Sequence, residues 1–287
     1  MKKKVVLSTA VVTFFLALLI TLYPLISTAY NRQHQSQIHL QHQEQVEQAD
    51  NQALEAAWEL AEAYNAALVP GVQNLERFTP EQLEAAAEGY NDLLDIAGDG
   101  ILCYVTIPKL DVCLPVYHGT SDAVLELGLG HLLGTSLPIG GSSSHSVITG
   151  HSGLASQQLL SDLDQLEPGD VFYIEVLDKT LAYEVDQIKT VLPYETEDLQ
   201  IIPGQDYCTL VTCTPFGVNT HRLLVRGTRI PYEEASPDAE TAPTEPVTST
   251  WEQEYRNGIL MGLGIVGLLA IITVIIWRIW RCNHEKS

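Results

Sequence analysis

TLVTCTPFGVNTHRLLVRG, residues 209–227, reads as strand, turn and strand. A run alternating β-branched and aliphatic side chains carries Cys213 to its end. Pro215 to Gly217 break it, and a second apolar run returns from Arg222. Five more runs of this kind share the pattern, Ile101 to Ile107, Val112 to Tyr117, Ser146 to Thr149, Val171 to Leu177 and Thr180 to Val191, beside Tyr207 to Thr212 and Arg222 to Ile230 as the outgoing and returning strands of the hairpin. Gly, Pro, Asn and Asp separate them, and only a brief stretch at Ser121 to Leu127 has helical character. Many short strands with turn residues between them and little helix predict a mainly β domain, a closed or nearly closed barrel.

Ahead of the barrel the period changes from two to 3.6. Leu54, Ala57, Trp58, Ala61, Tyr64 and Leu68 fall on one helical stripe that Val69-Pro70-Gly71 ends. A second start signal stands at Thr79-Pro80-Glu81-Gln82, with Thr79 as cap, Pro80 in the first turn and Gln82 where a capping box needs it. Leu83, Ala86, Tyr90 and Leu93 or Leu94 continue that stripe to Gly98 and Gly100, predicting a helical hairpin or arm. Residues 30–50 are rich in Gln and His and read as a solvated stalk. His34, His39 and His42 invite a metal, but no carboxylate or thiolate completes a ligand set with them, so no metal is assigned and they read as polar stalk residues.

Both ends are hydrophobic. Val5 to Ile26 is a run of 22 uncharged residues behind Lys2, Lys3 and Lys4. As a helix it would reach about 33 Å, enough for a bilayer core. Ile259 to Trp277 is a second run of 19, followed by Arg278, Arg281 and Lys286. Basic residues on the terminal side of each run place both termini in the cytoplasm and the middle outside the cell membrane. The first run exceeds the about 7–15 apolar residues of a signal peptide, which favours an anchor, while Ser27-Thr28-Ala29 supply the small residues a cleavage site needs. The expected organisation is a transmembrane anchor or signal segment at 1–29, a helical stalk or arm at 30–99, the β-barrel at 100–231, an acidic Glu/Ala/Ser/Thr/Pro tether at 232–257, and a second transmembrane helix with a basic tail at 258–287.

The formal charge of the 287-residue chain is -21. Without the basic ends, 9 basic residues face 35 acidic ones outside. Such a surface excludes nucleic acid as a partner, because phosphate binding rests on clustered Lys and Arg. It attracts cationic amines instead. Cys282 falls on the cytoplasmic side. Cys103, Cys113, Cys208 and Cys213 fall outside, and Cys103 and Cys113 lie in adjacent strands where a disulfide is one alternative and two buried thiols the other.

One set of residues can carry chemistry. Cys213 ends a strand, Val147-Ile148-Thr149-Gly150 leads another strand into His151, and Arg222 opens the strand returning from the Cys213 turn. A thiolate can attack a carbonyl, an imidazole can move protons, and a guanidinium can hold the developing oxyanion. Arg226, on the same strand face as Arg222 by period two, is the substitute. His131, His145 and His221 compete with His151, with structural hydrogen bonding as their alternative role.

IPKLDVCLPVY at 107–117, GHLLGTSLPIGG at 130–141, HSVITGHSGL around His151 and TLVTCTPFGVNTHRL from Thr209, in this order along the chain, resemble the sortases, in particular the class C pilin-assembling sortases of Gram-positive bacteria. The resemblance spans about Gly100 to Ile230. It implies an eight-stranded barrel with Cys213, His151 and Arg222 as the site and no cofactor. The implied reaction cleaves an LPxTG-like sorting signal of a pilin or surface protein between Thr and Gly, holds the fragment as a thioester on Cys213, and passes it to a lysine amine of the next subunit. Two positions depart from the family. The Asp-Pro-aromatic lid motif is replaced by Val69-Pro70-Gly71, and Ser152 follows His151 where Arg is usual.

Two other readings stand beside this one. Attachment of proteins to peptidoglycan would use the same residues. A wall-anchored surface protein would need an LPxTG motif before its C-terminal helix, where this chain has Tyr255-Arg256-Asn257-Gly258. A papain-like protease would have its cysteine before its histidine, the reverse of the order here.

Overall fold

The computed structural model describes residues 2–68, 89–152, 159–232, 259, 260 and 262. Residues Pro24–Val247 form one compact unit. In it, eight strands close a barrel in the order β1-β2-β3-β4-β7-β8-β6-β5. They are β1 (Ile101–Ile107), β2 (Val112–His118), β3 (Leu129–His131), β4 (Ser144–Thr149), β5 (Val171–Val176), β6 (Lys179–Val191), β7 (Asp206–Thr214) and β8 (His221–Ile230). Seven coincide with the expected runs to within two residues. The eighth, β3, is three residues long with a central glycine, too short for alternation to mark it. Gly130 is required there because a Cβ would stand 2.3 Å from the Gly119 carbonyl oxygen.

Most neighbours are antiparallel, but β2 with β3 and β4 with β7 run parallel. Inward side chains such as Val105, Ile107, Val116, Leu129, Ile148, Phe172, Ile174, Leu210 and Val225 are fully buried and fill the barrel. Two buried histidines brace it. Tyr90 Oη donates to His131 Nδ1 at 2.7 Å, and His131 Nε2 donates to the Ser136 carbonyl at 2.8 Å. His145 Nδ1 donates to the Gln200 carbonyl at 2.9 Å and its Nε2 accepts from Thr209 Oγ1 at 2.7 Å. Each ring has both nitrogens used in the neutral form, and burial pushes each pKa down to about 4.

Helix α1 (Lys2–Glu47) and helix α2 (Asn51–Ala67) precede the barrel, and a short α3 (Asp122–Leu127) matches the expected helical stretch. Asp50 caps α2 by accepting from Gln52 N. Its stripe docks as expected, with Leu54 and Ala61 buried and Trp58 and Tyr64 half-buried against the core. The Asn65 amide accepts from Leu137 N at 2.7 Å and donates to Leu137 O at 3.2 Å.

Three expectations are corrected. The solvated stalk is not solvated throughout. His42 of α1 is 8 % exposed and bonded to Asp99 at 2.9 Å, and His39 reaches Glu175 at 3.0 Å. The second arm helix does not continue through Tyr90 to Leu94. Gly89 takes φ 78°, Leu94 takes φ 64°, and only a single 3-10 turn, Tyr90–Asp92, lies between. The disulfide alternative also fails. Cys103 pairs with Val116 and Cys113 with Thr106, so the two thiols are three register steps apart, and both are free.

The Thr79 start signal and Val69-Pro70-Gly71 lie outside the described residues, as does the tether. Among the described residues no helix is long and apolar enough to cross a membrane. Most side chains of 5–26 and nearly all of 259–277 also lie outside them.

Two tests follow from this packing. The histidine pKa values lie below the ordinary 6.5, so between pH 6.5 and about 4 the unfolded chain binds more protons and stability falls as pH drops. In His145→Gln the loss of urea stability between pH 7 and pH 5 should shrink, by up to about 1.4 kcal/mol per pH unit of the removed titration. An unchanged loss would remove His145 as the source. At Gly150 a Cβ would come within 2.4 Å of Leu129 Cδ2 and 3.1 Å of Leu160 Cδ1. Gly150→Ala should cost about 1–3 kcal/mol in a denaturant melt, because both leucines are buried and closely packed.

Candidate active site

β4 and β7 pair in parallel from Ser144↔Asp206 to Thr149↔Val211. The ladder continues past the end of β4. Gly150 N donates to Val211 O at 3.0 Å, and Thr212 Oγ1 donates to Gly150 O at 2.9 Å. His151 is therefore two residues beyond Thr149, as Cys213 is two beyond Val211, and the shared register delivers both to the same barrel end. Parallel strands cannot be joined by a tight turn, so residues 62 apart in sequence arrive together through the long crossover that carries β5 and β6.

Arg222 comes from the other side. β7 and β8 are antiparallel, and Cys213 is directly opposite Arg222. Directly opposed residues share a face, with Cβ atoms about 4.5–5.5 Å apart. The connecting hairpin turns at Pro215, where Val218 N donates to Pro215 O at 3.0 Å, and Asn219 takes φ 59°. That left-handed residue aims its carbonyl back at the strand. Arg222 Nη1 donates to Asn219 O at 3.3 Å and to His221 O at 3.1 Å, which steadies the guanidinium of the residue opposite Cys213. Cys213, His151 and Arg222 are all half-buried, reachable from solvent yet backed by the core.

The competing residues have other duties. Arg226 is four residues further into the barrel, opposite Thr209. Its Nε and Nη2 donate to the two carboxylate oxygens of Asp186 at 3.0 and 2.7 Å, and it lies 4.2 Å over the Tyr207 ring. The Asp186 hydrogen bond raises its pKa further. His131 and His145 are the buried braces described above, and a ring held neutral to about pH 4 with both nitrogens bonded is no proton shuttle. His221 pairs with Thr214, one step from the thiol, and its Nδ1 lies 2.9 Å from Thr220 Oγ1.

Sequence reasoning overlooked the second layer. Ser152, in place of the family's usual Arg, is buried, and its hydroxyl lies 3.5 Å from Asn219 Oδ1. The residue after His151 thus touches the same asparagine that holds Arg222. Asn in the turn three residues before Arg222 is the signal that a left-handed carbonyl would be available.

A model described as "Sortase domain" matches residues 105–230. Among solved structures, sortase C from Streptococcus pneumoniae is 48% identical, with a TM-score of 0.59 over 66% of this chain and 94% of that one. Sortase C1 from Streptococcus agalactiae is 45% identical, with a TM-score of 0.61 over 67% and 97%. Sortase SrtE1 from Streptomyces coelicolor is 32% identical over 150 residues, which cover 46% of this chain but only 42% of that protein's length. With most of two sortase C structures covered at such identity and the barrel closed in the way described, the chain belongs to the sortase family, and its structural neighbours are the class C enzymes.

Proposed function

We propose that this chain is a membrane-anchored cysteine transpeptidase that polymerises pilins. It would cleave an LPxTG-like sorting signal between Thr and Gly and join the Thr carbonyl to a lysine amine of another subunit. The observation that carries the reading is the placement of Cys213 opposite Arg222 at the same barrel end as His151, in a chain similar to a pneumococcal sortase C described for its pilin substrate specificity.

In this mechanism the Cys213 proton passes to His151, and Sγ attacks the Thr carbonyl carbon to form a tetrahedral intermediate. Arg222 bears the charge developing on oxygen, and His151 gives a proton to the leaving glycine amine. The C–N bond breaks and a thioester on Cys213 remains. A lysine amine then attacks the same carbon, His151 takes its proton, and Cys213 leaves. A thioester retains enough of the peptide bond's free energy for an isopeptide bond to form without a nucleotide. Arg222 is permanently charged and anchored by two carbonyls, so little reorganisation is needed when the oxyanion forms.

Membrane attachment through 5–26 and 259–277, with the barrel outside the cell, is part of the proposal and rests on hydropathy and flanking charge. Tethering would keep the enzyme beside substrates that emerge from the same membrane, raising the effective concentration. The acidic exterior would draw cationic lysine acceptors, an effect that weakens with salt.

Incubation with an LPxTG peptide should leave a thioester on Cys213 by mass spectrometry, and Cys213→Ala should leave none. Arg222→Ala should lower the acylation rate about 10²- to 10³-fold with an unchanged melting temperature. Arg226→Ala should change the acylation rate far less than the melting temperature. Equal acylation losses in the two variants would remove the distinction between them. With a pilin pair present, a Lys-Thr crosslink is the expected product; exclusive transfer to a peptidoglycan cross-bridge mimic would reassign the acceptor.

A further inference from the structure

On the flank of the barrel, α1 crosses β1, β2 and β5 and brings a second cysteine, histidine and carboxylate together. Cys113 of β2 places its Sγ 3.6 Å from His39 Nδ1. The opposite ring nitrogen, Nε2, donates to Glu175 Oε2 of β5 at 3.0 Å. Glu175 is held in turn by Thr106 Oγ1 at 2.8 Å and Gln43 Nε2 at 3.3 Å. Tyr104 packs against the imidazole with ring centroids 4.2 Å apart and fixes its tilt.

The chemistry follows from which atom faces which. A metal site would need the three groups to converge on one point, whereas here sulfur and carboxylate sit at opposite ends of the imidazole. That is a relay: the carboxylate fixes the tautomer with Nε2 protonated, and Nδ1 then presents its lone pair to the thiol. Cys113 is half-buried, whereas Cys103 and Cys208 are enclosed, with burial pushing their thiols well above the ordinary range.

We propose that Cys113, His39 and Glu175 form a second activated-thiol site, distinct from the Cys213 site, that takes small disulfides by thiol-disulfide exchange. In the step, the Cys113 proton moves to His39 Nδ1 and Cys113 Sγ attacks one sulfur of R–S–S–R. The S–S bond of the reagent breaks, Cys113–S–S–R forms, and the departing RS⁻ recovers the proton from His39 as RSH. The Cys113 sulfur is oxidised, the departing sulfur is reduced, and no further oxidant is consumed. The acidic surroundings, with Glu175 in the site itself, favour a cationic disulfide.

The test uses the full-length chain carrying Cys213→Ala, treated with the cationic disulfide cystamine, with adducts located by non-reducing peptide mapping. Cys113 should form the mixed disulfide at least about tenfold faster than Cys103 or Cys208, and faster than the same Cys113 in urea-unfolded chain. His39→Asn and Glu175→Gln should each slow the reaction at Cys113 about tenfold while circular dichroism shows a folded barrel. The proposal is overturned by a folded rate at Cys113 no higher than the unfolded one. It is also overturned by variants that react as fast as the parent, or faster, which would mean that α1 merely shields the thiol. The comparison of folded with unfolded chain needs no substitution at His39 or Glu175, so it decides the matter even if those variants misfold.

Discussion

The parallel pairing of β4 with β7 sets the geometry on which the rest of the molecule depends. Two strands whose ends are far apart in sequence run side by side in the same direction, so whatever follows one is level with whatever follows the other. Gly150 prolongs the pairing by one hydrogen bond, and its missing Cβ lets Leu129 and Leu160 close behind it. The β7–β8 hairpin then adds Arg222 across from Cys213 by antiparallel register. An imidazole, a thiol and a guanidinium come from three strands, each set by main-chain hydrogen bonds rather than by a flexible loop alone. Rigid strand ends suit a reaction that needs charge stabilisation in place before bond making begins.

The two flanks of the site meet through the residue after His151. An arginine there would bring a second cation near Arg222. Ser152 brings a small buried hydroxyl to Asn219 instead, and the Asn219 carbonyl steadies Arg222. The histidine loop and the arginine hairpin therefore meet at one asparagine in a left-handed conformation.

Strand positions were legible because short runs rich in β-branched, aliphatic and aromatic side chains are punctuated by turn residues. That pattern locates Ile101–Ile107 and Val171–Val176 almost residue for residue. It is blind to β3, whose three residues include a glycine and whose pairing depends on β2 and β4 already being in place. Cys213 and Arg222 could be read as a pair because a hairpin is local, while His151 needed the family's motif order to single it out from His131 and His145. The burial of those two rings arises from contacts with Tyr90, Ser136, Gln200 and Thr209, distant in sequence from at least one partner. The Gln- and His-rich segment misled for the same reason. A polar stripe that looks built for water becomes an interface when Glu175, Cys113 and Asp99 supply its partners from the barrel.

The Asn65 side chain occupies the place that a neighbouring strand would take at Leu137, giving its main chain one donor and one acceptor. Helix α2 is thereby spliced onto the loop that leads through Ser136 and His145 into β4. A single amide, that of Leu137, becomes a natural reporter of the arm. Its exchange with deuterium should be governed by local lifting of α2 rather than by opening of the sheet. The rate at that one position would therefore give the free energy with which the arm holds to the catalytic barrel.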